Sequence, residues 1–296
     1  MRFAQIVMGP AGTGKSTYCS YLEKHAQVTN RAIRVVNLDP AAEKFEYEPL
    51  ADVRNLIQVE DVMEDEELKL GPNGALLYCM NYLMDNLESW LLPEIGEEYD
   101  GDYIIFDCPG QIELYTHMDL MKRFVKQLEQ WSFRVCGIFA IDAHFLTDGT
   151  KFIAGSLVAL STMVNLEIPH MNLLTKMDLL SKSDRKNIER FLEPDAHDLL
   201  QEEAETPWNA KFLKLSEALG KVLDDYSLVK FVPLDIRKSS NMENILLIAD
   251  MVMGVSEDAD VKVKDFEEPE NEEESEGGRD LDREFTNYLE GLNVRD

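Results

Sequence analysis

The chain has 296 residues, 45% of them hydrophobic, and carries 57 acidic against 29 basic side chains for a formal net charge of −28. That length admits one or two domains with ample core. The charge would repel a phosphate backbone and argues against direct nucleic-acid binding, which leaves proteins with basic surfaces as the expected partners. No apolar stretch is long enough to cross a bilayer, so no membrane association is expected, and the first apolar run is too short for a secretory leader. Cys19, Cys79, Cys108 and Cys136 lack C-x-x-C spacing and fall in apolar or helical stretches, which reads as reduced core thiols in a cytosolic or nuclear protein. The five histidines show no metal-ligand spacing and read as structural.

Along the chain, short β-rich runs alternate with longer helical patterns. Strands are predicted over residues 3–8, 34–38, 103–106, 135–141, 171–174 and 228–232, mostly near-continuous apolar runs of the kind covered on both faces. The alternation predicts an α/β fold, a doubly wound and mainly parallel sheet with helices on both faces. Ligands of such sheets gather at the carboxyl ends of the strands. The loop over residues 9–16, Asp39, Asp107, Asp142 and the segment over 175–178 should all converge there.

The first strand runs into Gly9-Pro10-Ala11-Gly12-Thr13-Gly14-Lys15-Ser16, which fits G-x-x-x-x-G-K-[ST] and opens a helical stretch over 17–27. Gly9, Gly12 and Gly14 permit the positive φ angles that let successive N–H groups curl around an anion, and the new helix adds its positive end. Gly12, Thr13, Gly14, Lys15, Ser16 and Thr17 are the candidate phosphate-binding residues. Lys15 would reach the β and γ phosphates and the Ser16 hydroxyl would hold Mg²⁺. A glycine-rich turn that binds nothing is the plainer alternative, but the strand before and the helix after are what the motif requires.

Asp39 follows the second strand. It could ligate magnesium through water or orient an attacking water, or merely cap the turn before Pro40. Residues 43–70 are acidic and mixed, with a short helix predicted over 49–57. Gly71-Pro72-Asn73 reads by itself as a turn closing on an N-cap asparagine ahead of a helix over 74–92. The third strand ends in Asp107-Cys108-Pro109-Gly110-Gln111, a D-x-x-G switch in which Asp107 holds magnesium through a water and the Gly110 N–H bonds the γ-phosphate. Gln111 and Glu113 are then placed to orient the hydrolytic water, at the head of a helix ending near residue 130. The nearly uncharged helix over 147–166, with Phe152, Ile153, Leu157, Val158, Leu160, Met163 and Val164, must be covered on most sides, by the domain alone or partly by a partner.

The next strand delivers Thr175-Lys176-Met177-Asp178, similar to N-K-x-D with threonine first. The Asp178 carboxylate can accept two hydrogen bonds from guanine, an edge adenine does not offer, and the Lys176 stem can lie over the base. Residues 181–223 read as helical, Pro233-Leu234-Asp235 as a further base-side loop, and 241–253 as the closing helix. The domain is therefore expected to span 1–254. Residues 257–280 hold 12 acidic and 3 basic side chains, so 255–296 is expected to be a disordered acidic tail. Leu281, Phe285, Tyr288, Leu289 and Leu292 recur at helical spacing, which leaves either a short docking helix over 281–292 or a disordered end.

Together, Gly-Pro-Ala-Gly-Thr-Gly-Lys-Ser-Thr, Asn-Leu-Asp-Pro-Ala-Ala, Gly-Pro-Asn, Asp-Cys-Pro-Gly-Gln-Ile-Glu-Leu and Thr-Lys-Met-Asp resemble the GPN-loop GTPase family over about residues 3–253. The stretches between motifs are most similar to the third of its eukaryotic branches. The resemblance implies a P-loop fold of the class that includes signal-recognition-particle GTPases and MinD-like ATPases, working as a dimer with GTP or GDP and Mg²⁺ at the interface. It makes Gly71, Pro72 and Asn73 a dimer-interface loop whose Asn73 touches the phosphate region of the partner's site. Asp39, Asp107, Gln111 and Glu113 match the family's magnesium and water-positioning residues. The implied partner is the first family paralogue in a heterodimer, with a homodimer as the alternative. The implied clients are RNA polymerase II subunits or assembly factors, served by a cytoplasmic protein that shuttles to the nucleus. A donated asparagine implies slow hydrolysis that depends on the dimer. A nucleotide-stabilised scaffold in which hydrolysis is dispensable is the rival, and a phosphate-loop kinase a more distant one.

Overall fold

The computed structural model describes residues 1–96, 102–144, 149–181, 218–219, 221–222 and 229–255. Among the described residues, seven strands form one sheet. β1 (Arg2–Met8) lies at its centre; β4 (Tyr103–Asp107), β2 (Ile33–Asn37) and β3 (Ala51–Asp52) follow on one side, and β5 (Phe133–Asp142), β6 (His170–Thr175) and β7 (Phe231–Pro233) on the other. Every pairing is parallel. The chain fills one side through β4 and then crosses β1 to place β5, so the end of β1 opens on the crevice where the strand order reverses. This is the expected architecture. The chain divides into a unit over Met1–Asp258 and another over Ala259–Asp296, and all described residues belong to the first. Beyond Val255 the expected tail, with its 281–292 helix, lies outside the described residues, as does most of 181–223.

Period-two alternation sorts the strands between two cores. From β1, Ala4, Ile6 and Met8 enter the core beneath α3 (Pro72–Asp85), α4 (Leu87–Ile95), α6 (Leu120–Gln130) and α7 (Gly149–Leu166). Phe3 and Val7 enter the other, where α1 (Lys15–Val28) and α8 (Ser239–Met253) supply Tyr18, Cys19, Leu22, Ile245 and Leu246. A polar side chain in a central strand must find partners. Gln5 does so by donating to the Tyr103 hydroxyl at 2.6 Å and accepting from the Tyr18 hydroxyl at 2.8 Å. That links β1, β4 and α1 just below the loop at the end of β1. The four cysteines are buried and unpaired, and among the described residues no helix is long and apolar enough to cross a membrane.

Three predicted helices differ. Residues 49–57 form the two-residue β3 and a 3₁₀ turn over Val53–Asn55, because Asp52 accepts from the Arg54 N–H and stops a longer helix. A two-residue strand leaves no periodicity to detect. The helix predicted over 74–92 is two helices, divided at Asn86, whose side chain donates to Tyr82 O at 2.8 Å. Gly71, not Asn73, is its N-cap, with Pro72 at the first helical position, where a missing N–H is harmless. The helix expected from 113 to 130 is broken into α5 (Glu113–Thr116) and α6. In α7, Phe152, Ile153 and Leu160 are buried by the domain itself while Val164 stays 64% exposed.

Candidate nucleotide site

The loop after β1 takes the conformation its glycines allow. Gly9, Gly12 and Gly14 have φ of 137°, 76° and 89°. Gly9 is required by packing as well, since a Cβ there would sit 2.2 Å from Ala140 O of the neighbouring strand. At Gly12 and Gly14 the added Cβ would meet nothing within 4 Å. The loop is therefore braced against the sheet on one side and open on the other. Thr13 Oγ1 donates to Pro10 O at 2.9 Å and Lys15 Nζ to the same carbonyl at 3.1 Å. Lys15 is 7% exposed, and burial draws its pKa down against the pull of Asp107 and Asp39.

The two acidic strand ends face this lysine. Asp39 is mostly buried, and burial raises its pKa against the Ala41 N–H, Lys15 and Arg54. Its carboxylate accepts from Ala41 N at 3.0 Å, and its own N–H donates to Asn37 Oδ1 at 3.0 Å. Asp107 is 2% exposed. Burial raises its pKa too, opposed first by the Ser16 hydroxyl, then by the Tyr47 hydroxyl and Lys15. Tyr47 donates to Asp107 Oδ2 at 2.7 Å, while Oδ1 is buried with no hydrogen-bond partner.

The segment after β4 lies on the loop over residues 9–16. A Cβ at Gly110 would come within 2.7 Å of Ala11 Cα and 2.8 Å of Ala11 Cβ, so only glycine fits there without a shift. The Tyr115 hydroxyl donates to Pro109 O and holds the segment from behind. Gln111 Nε2 donates to Asn73 Oδ1 of the same chain at 2.9 Å. Gly71, Pro72 and Asn73 are all exposed, as is Glu113 at the head of α5. Thr17 is exposed beside Ser16 at the start of α1.

The threonine-first motif is tied directly to the phosphate loop. The buried Thr175 hydroxyl lies 2.6 Å from Thr13 O and 3.0 Å from Ile141 O, sharing its one proton between them. Lys176 sits in the left-handed region at φ 60°, and its Nζ donates to Asp142 Oδ2 at 2.7 Å. Asp142 also accepts from the backbone N–H of His144 at 3.0 Å. Burial works against ionisation of Asp142, but Lys176 and His144 outweigh it and hold its carboxyl below the usual range. The loop after β7 packs on the same motif: Leu234 N donates to Leu174 O at 2.7 Å, Met177 N to Leu234 O at 3.3 Å, and Arg237 Nε lies 3.5 Å from Asp178 Oδ2. The loop over 233–235 therefore lies against the 175–178 motif.

Tyr47, Asp52 and Arg54 were not foreseen. The Arg54 guanidinium grips Asp52 at 2.6–3.1 Å, donates to Ala42 O at 2.9 Å and lies 4.6 Å from the Phe45 ring, which stacks on Tyr47 at 4.4 Å. The acidic composition of this stretch hid them, since nothing in spacing marks a tyrosine that folds back onto a residue 60 positions away.

Comparison with known proteins places this geometry. A family model described as a conserved hypothetical ATP binding protein matches residues 7–255. The chain is 51% identical to GPN-loop GTPase 3 of Xenopus tropicalis over 273 residues, 92% of this chain and 93% of that one. It is 45% identical to GPN-loop GTPase 3 of Saccharomyces cerevisiae over 252 residues, 84% and 91% of the two chains. The chain belongs to the GPN-loop GTPase family. A GTPase in apo form from Pyrococcus abyssi shares the fold, with a TM-score of 0.68 at 24% identity over 83% of this chain and 96% of that one. In this GPN-loop chain the Gly-Pro-Asn stands at the N-terminus of α3 and its asparagine meets the switch glutamine.

Proposed function

We propose that this chain binds GTP on the loop over residues 9–16 and hydrolyses it to GDP and phosphate, slowly and as part of a dimer. The observation that carries the reading is the bracing of three strand-end loops on one another. Thr175 is bonded to Thr13, Gly110 is packed on Ala11, and open space remains above Gly12 and Gly14. A phosphate chain laid in that space would meet the loop N–H groups and Lys15, and a purine beyond it would meet Lys176 and Asp178. Asp178 rejects bases without a donor edge because its carboxylate would be left unpaired.

Mg²⁺ suits the residues present. It prefers oxygen ligands and takes few from the protein when nucleotide phosphates supply the rest. Ser16 Oγ directly, and Asp107 through a water, are the protein groups that would hold it, and it would neutralise charge on the β and γ phosphates. Gln111 and Asp39 would orient the attacking water and Lys15 would stabilise charge on the transferred group, with Glu113 at the rim of the site.

Asn73 is proposed to serve the site of a dimer partner, the first family paralogue or a second copy. The Gln111–Asn73 bond within one chain favours a second reading, in which Asn73 acts in its own site. Mixing decides between them: Lys15→Ala and Asn73→Ala chains should each be inactive alone. If Asn73 acts across the interface, the mixture recovers GTP turnover; with Asn73 acting at home it does not. Loss of GTP binding in Lys15→Ala tests the site itself. The polymerase II assembly role and nuclear shuttling implied by the family resemblance belong to the same proposal, and an acidic chain of net charge −28 suits basic client surfaces.

A further inference from the structure

The cluster around Tyr47 has no part in the mechanism so far. Tyr47 is 6% exposed and comes from the segment between β2 and β3, yet its hydroxyl reaches Asp107 at the end of β4. A pairing made only to satisfy a buried carboxylate would be expected to use both oxygens, since buried polar atoms are rarely left alone. Here Oδ2 is taken by Tyr47 and Oδ1 has no hydrogen-bond partner, while the Ser16 hydroxyl is near enough to favour the charged carboxylate. The tyrosine is itself fixed: its ring stacks on Phe45 with an interplanar angle of 7°, and Arg54 covers Phe45 while gripping Asp52. Asp52 also accepts from Asn37, and Asn37 accepts from the Asp39 N–H. One arginine thus braces both acidic strand ends.

We infer that Tyr47 is a positioning residue that locks the Asp107 carboxylate with one oxygen turned toward a divalent cation arriving with the nucleotide phosphates. The inference rests on the nucleotide reading above. The tyrosine hydroxyl is a donor and can hold Oδ2 whatever occupies Oδ1. Outer partners of this kind fix the orientation of a ligating carboxylate, and losing one weakens metal binding by about ten- to hundredfold.

The test uses the full chain and a fluorescent GDP, with dissociation rates measured from EDTA through millimolar Mg²⁺. Tyr47→Phe should release the nucleotide in EDTA as the unaltered chain does, while the Mg²⁺ concentration giving half-maximal slowing rises about ten- to hundredfold. Asp107→Asn should lose most of the Mg²⁺ response. Arg54→Lys, which loosens the brace and keeps the hydroxyl, should shift the Mg²⁺ midpoint the same way by less, and it serves if the phenylalanine variant does not fold. An unchanged midpoint in both variants, or equal weakening with and without Mg²⁺, overturns the inference. An unaltered chain that held GDP equally well in EDTA would also overturn it while leaving nucleotide binding intact. A chain that bound no guanine nucleotide would fail the underlying reading itself.

Discussion

Replacing Gly110 by alanine probes the contact between switch and phosphate loop. The new Cβ would lie 2.7 Å from Ala11 Cα and 2.8 Å from its Cβ, against about 3.5–4.0 Å for relaxed carbon pairs. The two segments must therefore separate by about 1 Å, and both are backbone with little freedom to turn aside. Overpacking of this kind costs about 1–3 kcal/mol, which for a domain of this size lowers Tm by about 2–4 °C per kcal/mol. The functional effect should be larger and selective. A displaced Gly110 N–H no longer meets the γ-phosphate, and loss of one such donor slows turnover by about 10²–10³-fold. GDP, lacking that phosphate, should bind within a few-fold of normal. Single-turnover hydrolysis, together with affinities for GDP and a non-hydrolysable GTP analogue, reads all three quantities. Equal loss of both nucleotides, or unchanged turnover and GTP-to-GDP preference, would refute the switch role of Gly110.

Asp178→Asn should move preference from guanosine toward xanthosine nucleotides, since the amide can donate to a base carrying a carbonyl; competition binding with GTP and XTP checks it, and retained guanine preference would refute it. Thr175→Val removes the donor shared by Thr13 O and Ile141 O, and an unmet buried acceptor costs about 1–3 kcal/mol. It should weaken GTP and GDP alike by about ten- to hundredfold in titration calorimetry, the opposite pattern to Gly110→Ala. His170 should make the apo fold acid-sensitive. Both its ring nitrogens are buried without partners, and burial pulls its pKa down from 6.5 to about 4. Because the folded pKa lies below the unfolded one, the unfolded chain takes up the extra proton. Stability present above pH 6.5 is lost as pH falls toward about 4, at up to about 1.4 kcal/mol per unit. Denaturant midpoints across that range should fall less steeply for His170→Phe than for the unaltered chain.

What was legible in the sequence was whatever local chemistry dictates. The glycines at 9, 12 and 14 are needed where the chain enters positive φ, and six apolar runs mark strands buried on both faces. Asp39, Asp107 and Asp178 are visible because each follows such a run. Distance in sequence hid the rest. The two-residue β3 is specified by its pairing with Val36 and Asn37, not by its own composition. Tyr47 was unreadable because its meaning depends on a carboxylate on another strand. Asn73 looked like a helix cap because its spacing suits one, and only the bond from Gln111 sets it beside the segment after β4. Threonine at the head of the guanine motif looked like a departure, yet its hydroxyl reaches both Thr13 and Ile141.

The shifts at the site also say how ligands should enter it. Burial draws the Lys15 pKa down and those of Asp39 and Asp107 up, so desolvation opposes the charged form of all three. An anion beside Lys15 favours its charged form and disfavours that of the two aspartates; a cation beside Asp107 does the reverse. Each ligand therefore relieves the strain the other creates, and the coupling must be reciprocal: phosphate should raise affinity for the cation by the factor by which the cation raises affinity for phosphate. On the proposed reading, nucleotide and magnesium would enter such a site as a unit, and the rigidity of Asp107 would then govern the grip on both.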